Sequence, residues 1–235
     1  MSKNQAIEGV FFDLDGTLMD TASDFISAVN QLQLEHNLPL LAADIIRKNV
    51  SAGSKTLTSL ALGIAPDHPD IETCRQQLLA HYENHVNNSQ RPSPATLYPG
   101  ISSLLQDLEQ RQIPWGIVTN KPLAFTTPLL RQAKLDNRSK STVCPEHVKQ
   151  PKPDPQALLL ACQQASCLPE RCVYIGDHKR DIDAGKQAGM TTIAALYGYI
   201  ADDDNPEYWR ADYQAPTASD IHQWLIRNHW KIPAA

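Results

Sequence analysis

Short runs of consecutive apolar residues recur along the chain, and each run ends at polar or turn-forming residues. Five of these runs are rich in β-branched or aromatic side chains, which is typical of buried strands. They are residues 9–12, 115–118, 141–144, 172–175 and 192–196. Because continuously apolar strands belong to sheets that are covered on both faces, the runs predict a parallel sheet.

From the second run onward, apolar residues at helical spacing precede each strand. The helical patterns lie at residues 101–108, 129–133, 157–161 and 182–188. Strands and helices that alternate in this way build a parallel sheet through right-handed crossovers, with helices on both faces. The fold class is therefore predicted as α/β, a Rossmann-like doubly wound parallel sheet. A last amphipathic pattern near residues 221–225 predicts one more helix.

The segment from residue 21 to residue 91 interrupts this alternation. It shows three helical patterns and no convincing strand, and Thr21 with Asp24 has the spacing of a capping box at the first helix. The proline-rich residues that follow indicate a stiff return linker. The sequence thus predicts an all-helical domain at residues 21–91, inserted into a core formed by residues 1–20 and 92–235.

Composition narrows the class of protein. Of the 235 residues 42% are hydrophobic, and the net charge is −5. An acidic chain without a basic block gives no reason to expect a nucleic-acid partner. No apolar run approaches membrane-spanning length, and the N-terminal residues lack the pattern of a signal peptide. We therefore expect a cytoplasmic protein without a membrane partner.

Polar side chains cluster in the sequence just after the predicted strands. Ligands of an open parallel sheet bind beyond the carboxyl ends of its strands, so these side chains are expected to converge. The candidates are Asp13, Asp15, Thr119, Asn120, Lys152, Asp177 and Asp181. Neighbouring carboxylates repel one another, and a divalent cation with a preference for oxygen ligands, such as Mg²⁺, removes that repulsion.

The mixture of charges suits phosphoryl transfer. Asp13 and Asp15 are two residues apart, so in a continuing strand they face the same way, and one can attack while the other handles a proton. A carboxylate nucleophile that forms an aspartyl-phosphate is an established covalent route. Thr119, Asn120 and Lys152 offer donors and a positive charge to an anion.

Taken in order, these motifs resemble those of the haloacid dehalogenase superfamily of phosphatases. The matching segments are residues 13–17, Thr119 with Asn120, Lys152, and residues 176–177 with Asp181. The helical segment after the first motif resembles the cap domain of that superfamily. The likeness covers nearly the whole chain and implies hydrolysis of a small phosphate ester.

The resemblance also implies roles for individual residues. Asp13 would be the nucleophile and Asp15 the general acid and base, while Thr119, Asn120 and Lys152 would bind the transferring phosphoryl group. The Mg²⁺ ligands would be the Asp13 side chain, the backbone carbonyl of Asp15, and Asp177. Asp181 would lie behind these ligands or orient Lys152. A monomer or a homodimer is expected.

Further stretches point to branches of the superfamily. Residues 118–122 and 152–155 are similar to the phosphoglycolate phosphatase branch, which makes a phosphoglycolate phosphatase-like activity the leading expectation. Residues 144–149 and 197–206 resemble the N-acetylmuramic acid 6-phosphate phosphatases of bacterial cell-wall recycling, which makes that activity the alternative. His178 departs from the Asp, Ser or Thr more often found after the fourth motif.

Two functions other than hydrolysis of a phosphate ester remain open. A phosphomutase shares the motifs, while a receiver-like signalling module would be shorter and would place its acceptor Asp after a middle strand.

In the helical segment, Gly53 and Lys55 lie in a loop that either contacts substrate or only connects two helices. Lys121 and Lys149 are interpreted as ordinary loop lysines.

Overall fold

The computed structural model describes residues 6–88 and 90–228, and its centre is a six-stranded parallel sheet. The strands in chain order are β1 (Gly9–Phe12), β2 (Met19–Asp20), β3 (Thr96–Leu97), β4 (Trp115–Val118), β5 (Ser141–Val143), β6 (Cys172–Gly176), β7 (Thr191–Ala195) and β8 (Tyr213–Ala215). The sheet has the order β5-β4-β1-β6-β7-β8, so the first strand is central. All five predicted strands are present, whereas the short edge strand β8 was not predicted.

Helices cover both faces of the sheet. They are α1 (Ala22–Glu35), α2 (Ala43–Lys48), α3 (Ser54–Leu62), α4 (Ile71–Val86), α5 (Ile101–Gln110), α6 (Leu123–Gln132), α7 (Gln156–Ala165), α8 (Lys179–Gln187) and α9 (Ala218–Arg227). Phe12 of β1 belongs to the larger apolar cluster and Phe11 to the cluster on the opposite face, because neighbouring strand residues alternate in direction. No helix in the described residues is long and apolar enough to cross a membrane.

Helices α1 to α4 form a helical insertion between β2 and β3. These two strands pair antiparallel, Met19 with Leu97 and Asp20 with Thr96, where the chain leaves the core and returns to it. The helices pack mainly on one another, with α1 against α4 and α3. This arrangement contains the predicted helical segment, while domain boundaries at residues 21 and 91 stay a prediction. The six-residue α2 was not predicted, because only Ile46 of it is buried.

The predicted capping box at the start of α1 is wrong. Thr21 precedes the helix, but its side chain makes no capping hydrogen bond. Its hydroxyl donates instead to Oδ1 of Asp15, in the turn after β1. Because the acceptor is a carboxylate, this hydrogen bond is stronger than one between neutral groups, and it places the Thr21 hydroxyl beside Asp15.

Candidate active site

The acidic residues predicted to converge do so at the carboxyl ends of β1 and β6. Asp13, Asp177 and Asp181 each place one carboxylate oxygen within 4.8 Å of the other two. The two strands pair in parallel, with Phe12 opposite Ile175, and the Asp13 N–H donates to the carbonyl of Ile175. The sheet register therefore sets the first aspartate beside the segment that carries the other two.

The carboxylate of Asp13 is nearly enclosed by protein. Its Oδ1 accepts the N–H of Leu14 at 2.7 Å and lies 3.0 Å from Nζ of Lys152. Burial raises the pKa of Asp13 to about 6, against the opposing effect of Lys152. Burial and the neighbouring acids Asp13 and Asp181 also raise the pKa of Asp177 well above its ordinary value. A bound cation would stabilise the ionised forms of these two carboxylates, because it offsets their mutual repulsion.

Lys152 supplies a fixed positive charge directly behind these acids. Its ammonium donates to the carbonyl of Val118 at 2.9 Å, to the hydroxyl of Tyr174 at 2.8 Å and to Oδ1 of Asp181 at 2.7 Å. Burial by itself would lower the pKa of Lys152, but Asp13 and Asp181 outweigh burial and raise it. The side chain thus stays charged while only 1% of it is exposed.

Asp181 and Asp177 are held in different ways. Asp181 lies in the first turn of α8, where one oxygen accepts from Lys152 and the other from the N–H of His178. Asp177 accepts the N–H of Tyr199 at 2.7 Å and the hydroxyl of Ser51 at 2.8 Å, both at Oδ2. Asp181 is therefore paired with Lys152, whereas Asp177 accepts hydrogen bonds from neutral donors and has no ion pair among the described residues.

The oxygen donors fit a hard divalent cation. Asp13 and Asp177 offer carboxylate oxygens, and the Thr17 hydroxyl donates to Oδ1 of Asp177 at 3.4 Å, so the turn after β1 lies against this cluster. Mg²⁺ binds through one or two carboxylates and completes its shell with water and substrate oxygens. The described residues bring no Cys or His into this cluster, so the donor set does not favour a softer metal.

The turn after β1 packs directly on Asp177. Gly16 has φ +77, and a Cβ built at this residue would lie 1.9 Å from Oδ2 of Asp177. Both the left-handed backbone and the close approach require glycine here. Gly198 has a similar fit, since a Cβ there would lie 2.2 Å from the Cβ of Asp177 and 2.5 Å from the carbonyl oxygen of Gly16.

Asp15 points to a different set of partners. Its carboxylate accepts from Nζ of Lys121 at 2.9 and 3.1 Å and from the hydroxyl of Thr21. The sequence interpretation of Lys121 as an ordinary loop lysine is wrong, because only 2% of its side chain is exposed. Its place directly after the Thr119–Asn120 motif at a strand end was the signal for a buried role. Lys149, by contrast, is exposed.

The Thr119–Asn120 motif follows β4 at the edge of the same site. Thr119 is buried, and its hydroxyl accepts the N–H of Lys121 at 3.1 Å. The amide of Asn120 makes two hydrogen bonds to the backbone of Lys152, one as donor and one as acceptor. The Asn120 side chain therefore fixes the lysine loop, and its backbone N–H is the group that remains for an anion.

A cavity of about 190 Å³ lies between these residues and the helical insertion. Asp13, Asp15, Thr119, Lys121 and Lys152 line it from the core. From the insertion the lining includes Phe25, Ser51, Gly53, Ser54, Arg75 and Tyr82. Gly53 thus lines the cavity, and its contact with substrate stays a prediction, whereas Lys55 is exposed and lies outside the lining. Lys55 is at the second position of α3, where its side chain points away from the cavity that Ser54 faces.

The structure assigns His178 a local role. Its Nδ1 accepts the N–H of Arg180 at 3.1 Å, which caps the start of α8. Burial, together with the charge of Arg180, lowers the pKa of His178 to about 4. A neutral imidazole is therefore a capping acceptor here, and the departure from Asp, Ser or Thr preserves that function.

Comparison with known proteins places the chain in a class. The family model for haloacid dehalogenase-like hydrolases matches residues 10–195. The chain therefore belongs to the haloacid dehalogenase-like hydrolase family, which confirms the resemblance found in its motifs. Within that family its similar proteins are phosphatases, so the predicted phosphomonoesterase class is confirmed as well.

Individual relatives match over most of their length. The N-acetylmuramic acid 6-phosphate phosphatase of Pseudomonas aeruginosa is 42% identical over 210 residues, which cover 89% of this chain and 91% of that protein. A phosphoglycolate phosphatase of Xanthomonas campestris is 37% identical over 203 residues, or 86% and 89%.

A solved structure shares the fold. The crystal structure of a predicted phosphoglycolate phosphatase from Haemophilus somnus has a TM-score of 0.79 and 22% identity, covering 93% of this chain and 97% of that chain. At that identity the likeness concerns the fold alone. It confirms the Rossmann-like α/β core expected from the sequence.

Proposed function

We propose that the chain is a Mg²⁺-dependent phosphomonoesterase that forms an aspartyl-phosphate on Asp13. The observation that supports this most directly is the placement of Asp13, Asp177 and Asp181 within 4.8 Å at the strand ends, beside a buried lysine. Phosphoryl transfer needs positioning and charge neutralisation more than any other contribution, and this site provides both.

Asp13 is the nucleophile in this proposal. One of its carboxylate oxygens attacks the phosphorus atom, and the bond between phosphorus and the ester oxygen breaks. The leaving oxygen takes a proton and departs as an alcohol, while the phosphoryl group stays on Asp13. Water then attacks the phosphorus, the bond to Asp13 breaks, and inorganic phosphate is released with the carboxylate restored.

Asp15 moves the proton in both steps. It donates a proton to the leaving oxygen and later accepts one from the attacking water. The hydrogen bonds from Lys121 and Thr21 hold its carboxylate at the cavity wall beside Asp13. A phosphomutase would instead return the phosphoryl group to a second hydroxyl of the same substrate, and no contact of Asp15 favours that outcome over water.

Asp13, the backbone carbonyl of Asp15, and Asp177 would hold the Mg²⁺ ion. When bound, the ion supplies positive charge that neutralises the phosphoryl oxygens and offsets the repulsion between the two carboxylates. Lys152 neutralises further charge, and Asp181 keeps its ammonium in place. Thr119 and the backbone N–H of Asn120 are the remaining donors to the phosphoryl group.

For the substrate, we propose N-acetylmuramic acid 6-phosphate, with phosphoglycolate as the second candidate. The similar proteins named N-acetylmuramic acid 6-phosphate phosphatase are 42% and 38% identical to this chain. The phosphoglycolate phosphatase of Xanthomonas campestris is 37% identical, so the margin is small. The stretch 197–206 adds weight, since Tyr199 of that stretch contacts Asp177 and Asp202 pairs with Lys48 of α2.

The test compares kcat/KM for the two compounds on one preparation, with release of inorganic phosphate as the readout. We expect N-acetylmuramic acid 6-phosphate to be preferred by roughly 100-fold, which equals about 2.7 kcal/mol of transition-state binding. Activity on p-nitrophenyl phosphate serves as the control for an active preparation. A preference of that size for phosphoglycolate would overturn the choice of substrate and leave the phosphatase mechanism intact.

A further inference from the structure

One face of α4 forms a wall of the cavity along its length. Arg75, Leu79 and Tyr82 all line the cavity, and their spacing of four and then three residues places them on one side of the helix. A helix rises about 1.5 Å per residue, so Arg75 lies on the order of 10 Å from Tyr82 along the axis. A ligand that reaches from one end of this wall to the other must therefore be about this long.

At its Tyr82 end, this wall lies next to the catalytic residues. The centre of the Tyr82 ring lies 4.5 Å from Nζ of Lys121, and Lys121 pairs with Asp15. Between Tyr82 and Arg75 the α4 wall carries the apolar side chain of Leu79, and Val50 is a further apolar lining residue of the cavity. The cavity is therefore polar at both ends, with a catalytic acid at one end and an arginine at the other.

The guanidinium of Arg75 is held in a fixed direction. Nε and Nη2 donate to the carboxylate of Glu72 at 2.9 and 2.6 Å, and Nη1 donates to Oγ of Ser54 at 3.3 Å. Arg has five N–H donors, so these three bonds leave two for a ligand in the cavity. Because Glu72 lies one turn further from Tyr82, it draws the guanidinium away from the catalytic end.

We propose that Arg75 binds a carboxylate of the substrate, at the end of the α4 wall away from the phosphoryl group. Arginine presents N–H groups in a planar fork that matches a carboxylate. The inference rests on the proposed function, and it sharpens the choice of substrate class to phosphorylated sugar acids with the two anions at opposite ends.

Chain length separates the candidate substrates. In phosphoglycolate about three single bonds join phosphorus to the carboxylate carbon, a span of roughly 4 Å. In N-acetylmuramic acid 6-phosphate the sugar ring and the lactyl ether intervene, and about eight bonds reach roughly 9–10 Å when extended. Only the longer molecule matches the length of the α4 wall from Tyr82 to Arg75, about 10 Å. Its ring would lie against the apolar part of that wall.

The experiment compares N-acetylmuramic acid 6-phosphate with N-acetylglucosamine 6-phosphate, which lacks the whole lactyl ether group and, with it, the carboxylate. We expect Arg75→Gln to lower kcat/KM for N-acetylmuramic acid 6-phosphate roughly 10- to 100-fold, the value of a hydrogen bond to a charged group. Hydrolysis of N-acetylglucosamine 6-phosphate and of p-nitrophenyl phosphate should stay within about threefold of the wild type, since neither offers a carboxylate to Arg75.

Three further variants control the result. Arg75→Lys keeps the positive charge but loses the planar pair of N–H donors. It should therefore retain part of the preference for N-acetylmuramic acid 6-phosphate over N-acetylglucosamine 6-phosphate. The double variant Arg75→Gln with Glu72→Gln removes the unpaired carboxylate that would itself repel the substrate, and the loss should persist in it. Lys55→Gln removes an exposed cation near Ser54 and should leave all three substrates unchanged.

The outcomes separate this inference from the proposed function. An equal loss on both sugar phosphates, or no loss on either, overturns the Arg75 contact while the phosphatase mechanism stands. A wild-type protein that hydrolyses p-nitrophenyl phosphate but neither sugar phosphate overturns both the substrate and the contact. No hydrolysis of any ester in Mg²⁺ overturns the proposed function itself and, with it, the Arg75 contact.

Discussion

Nζ of Lys121 lies 2.9 Å from Oδ1 of Asp15, and this ion pair is enclosed by the helical insertion. The ammonium also lies 4.7 Å from the ring centre of Phe25 in α1 and 4.5 Å from that of Tyr82 in α4. A cation against two aromatic faces, away from water, is attracted to both rings. One lysine thus links the candidate proton donor to the helices that cover it.

Replacing Lys121 by Met should lower kcat on p-nitrophenyl phosphate by roughly 10- to 100-fold, the lower part of the range expected when a general acid and base is misplaced. Without the ammonium, the hydroxyl of Thr21 is the one side-chain donor left to Asp15 in the described part of the chain. Lys149→Met removes a charge from an exposed loop and is the matched control. If both variants keep wild-type rates, Lys121 does not position Asp15.

Asp13→Asn should abolish turnover, because the amide is neither a nucleophile nor a good Mg²⁺ ligand. In chelator, the variant should unfold at a temperature no lower than the wild type, since one of the mutually repelling carboxylates is gone. Activity assays and thermal unfolding check the two halves separately. Turnover near that of the wild type would contradict the assignment of the nucleophile.

Asp15→Asn and Asp177→Asn should differ in their effect on the metal. Asp15→Asn loses roughly 10²- to 10⁴-fold in rate but keeps most of its Mg²⁺ affinity, because the expected ligand there is a backbone carbonyl. Asp177→Asn should lose affinity, since its side chain is the expected ligand. Titration calorimetry with Mg²⁺ measures this directly, and equal losses of affinity would show that the division of roles is wrong.

Removal of divalent ions by a chelator should stop hydrolysis, and added Mg²⁺ should restore it. Ca²⁺ should bind at the same carboxylates yet inhibit, because it is larger and accepts bidentate carboxylates, which would occupy both oxygens of Asp13. The assay is phosphate release in Mg²⁺ with increasing Ca²⁺. Full activity after exhaustive chelation would count against any metal requirement.

Gly16→Ala should destabilise the fold and remove activity together. The new Cβ would meet Oδ2 of Asp177 at 1.9 Å, in addition to the cost of about 1–2 kcal/mol for a left-handed backbone. Gly63→Ala is the matched control, because φ is +65 and nothing lies within 4 Å of its Cβ. Denaturant unfolding should show a much larger loss for Gly16→Ala, and equal losses would contradict the clash.

The pattern of apolar residues along the chain predicted the strands at the centre of the sheet. The five apolar runs became β1, β4, β5, β6 and β7, because a strand buried on both faces needs apolar residues at nearly every position. The edge strand β8 left no such signal, since among Tyr213, Gln214 and Ala215 only the last is buried. The helix α2 was missed for the same reason, with Ile46 its single buried residue.

Thr21 and Lys121 show why the sequence pattern does not predict contacts within the candidate site. Thr21 has the residue type of a helix cap and Lys121 that of a solvated loop, yet both contact Asp15. Residue type and spacing describe only what the neighbouring chain can offer. The carboxylate that both residues contact lies in the turn after β1, and the parallel pairing of β1 with β4 brings Lys121 to it.

The sequence by itself determined the α/β fold, the family and the acids at the strand ends, because parallel strands bring their carboxyl ends to one edge wherever the chain places them. The tertiary structure alone decided which cation faces the cavity from the helical insertion. Lys55, which sequence reasoning singled out, lies in the first turn of α3 and is exposed, while Arg75 on α4 lines the cavity and donates to Ser54. That choice depends on how α3 and α4 pack against each other, since packing sets which face of each helix meets the core.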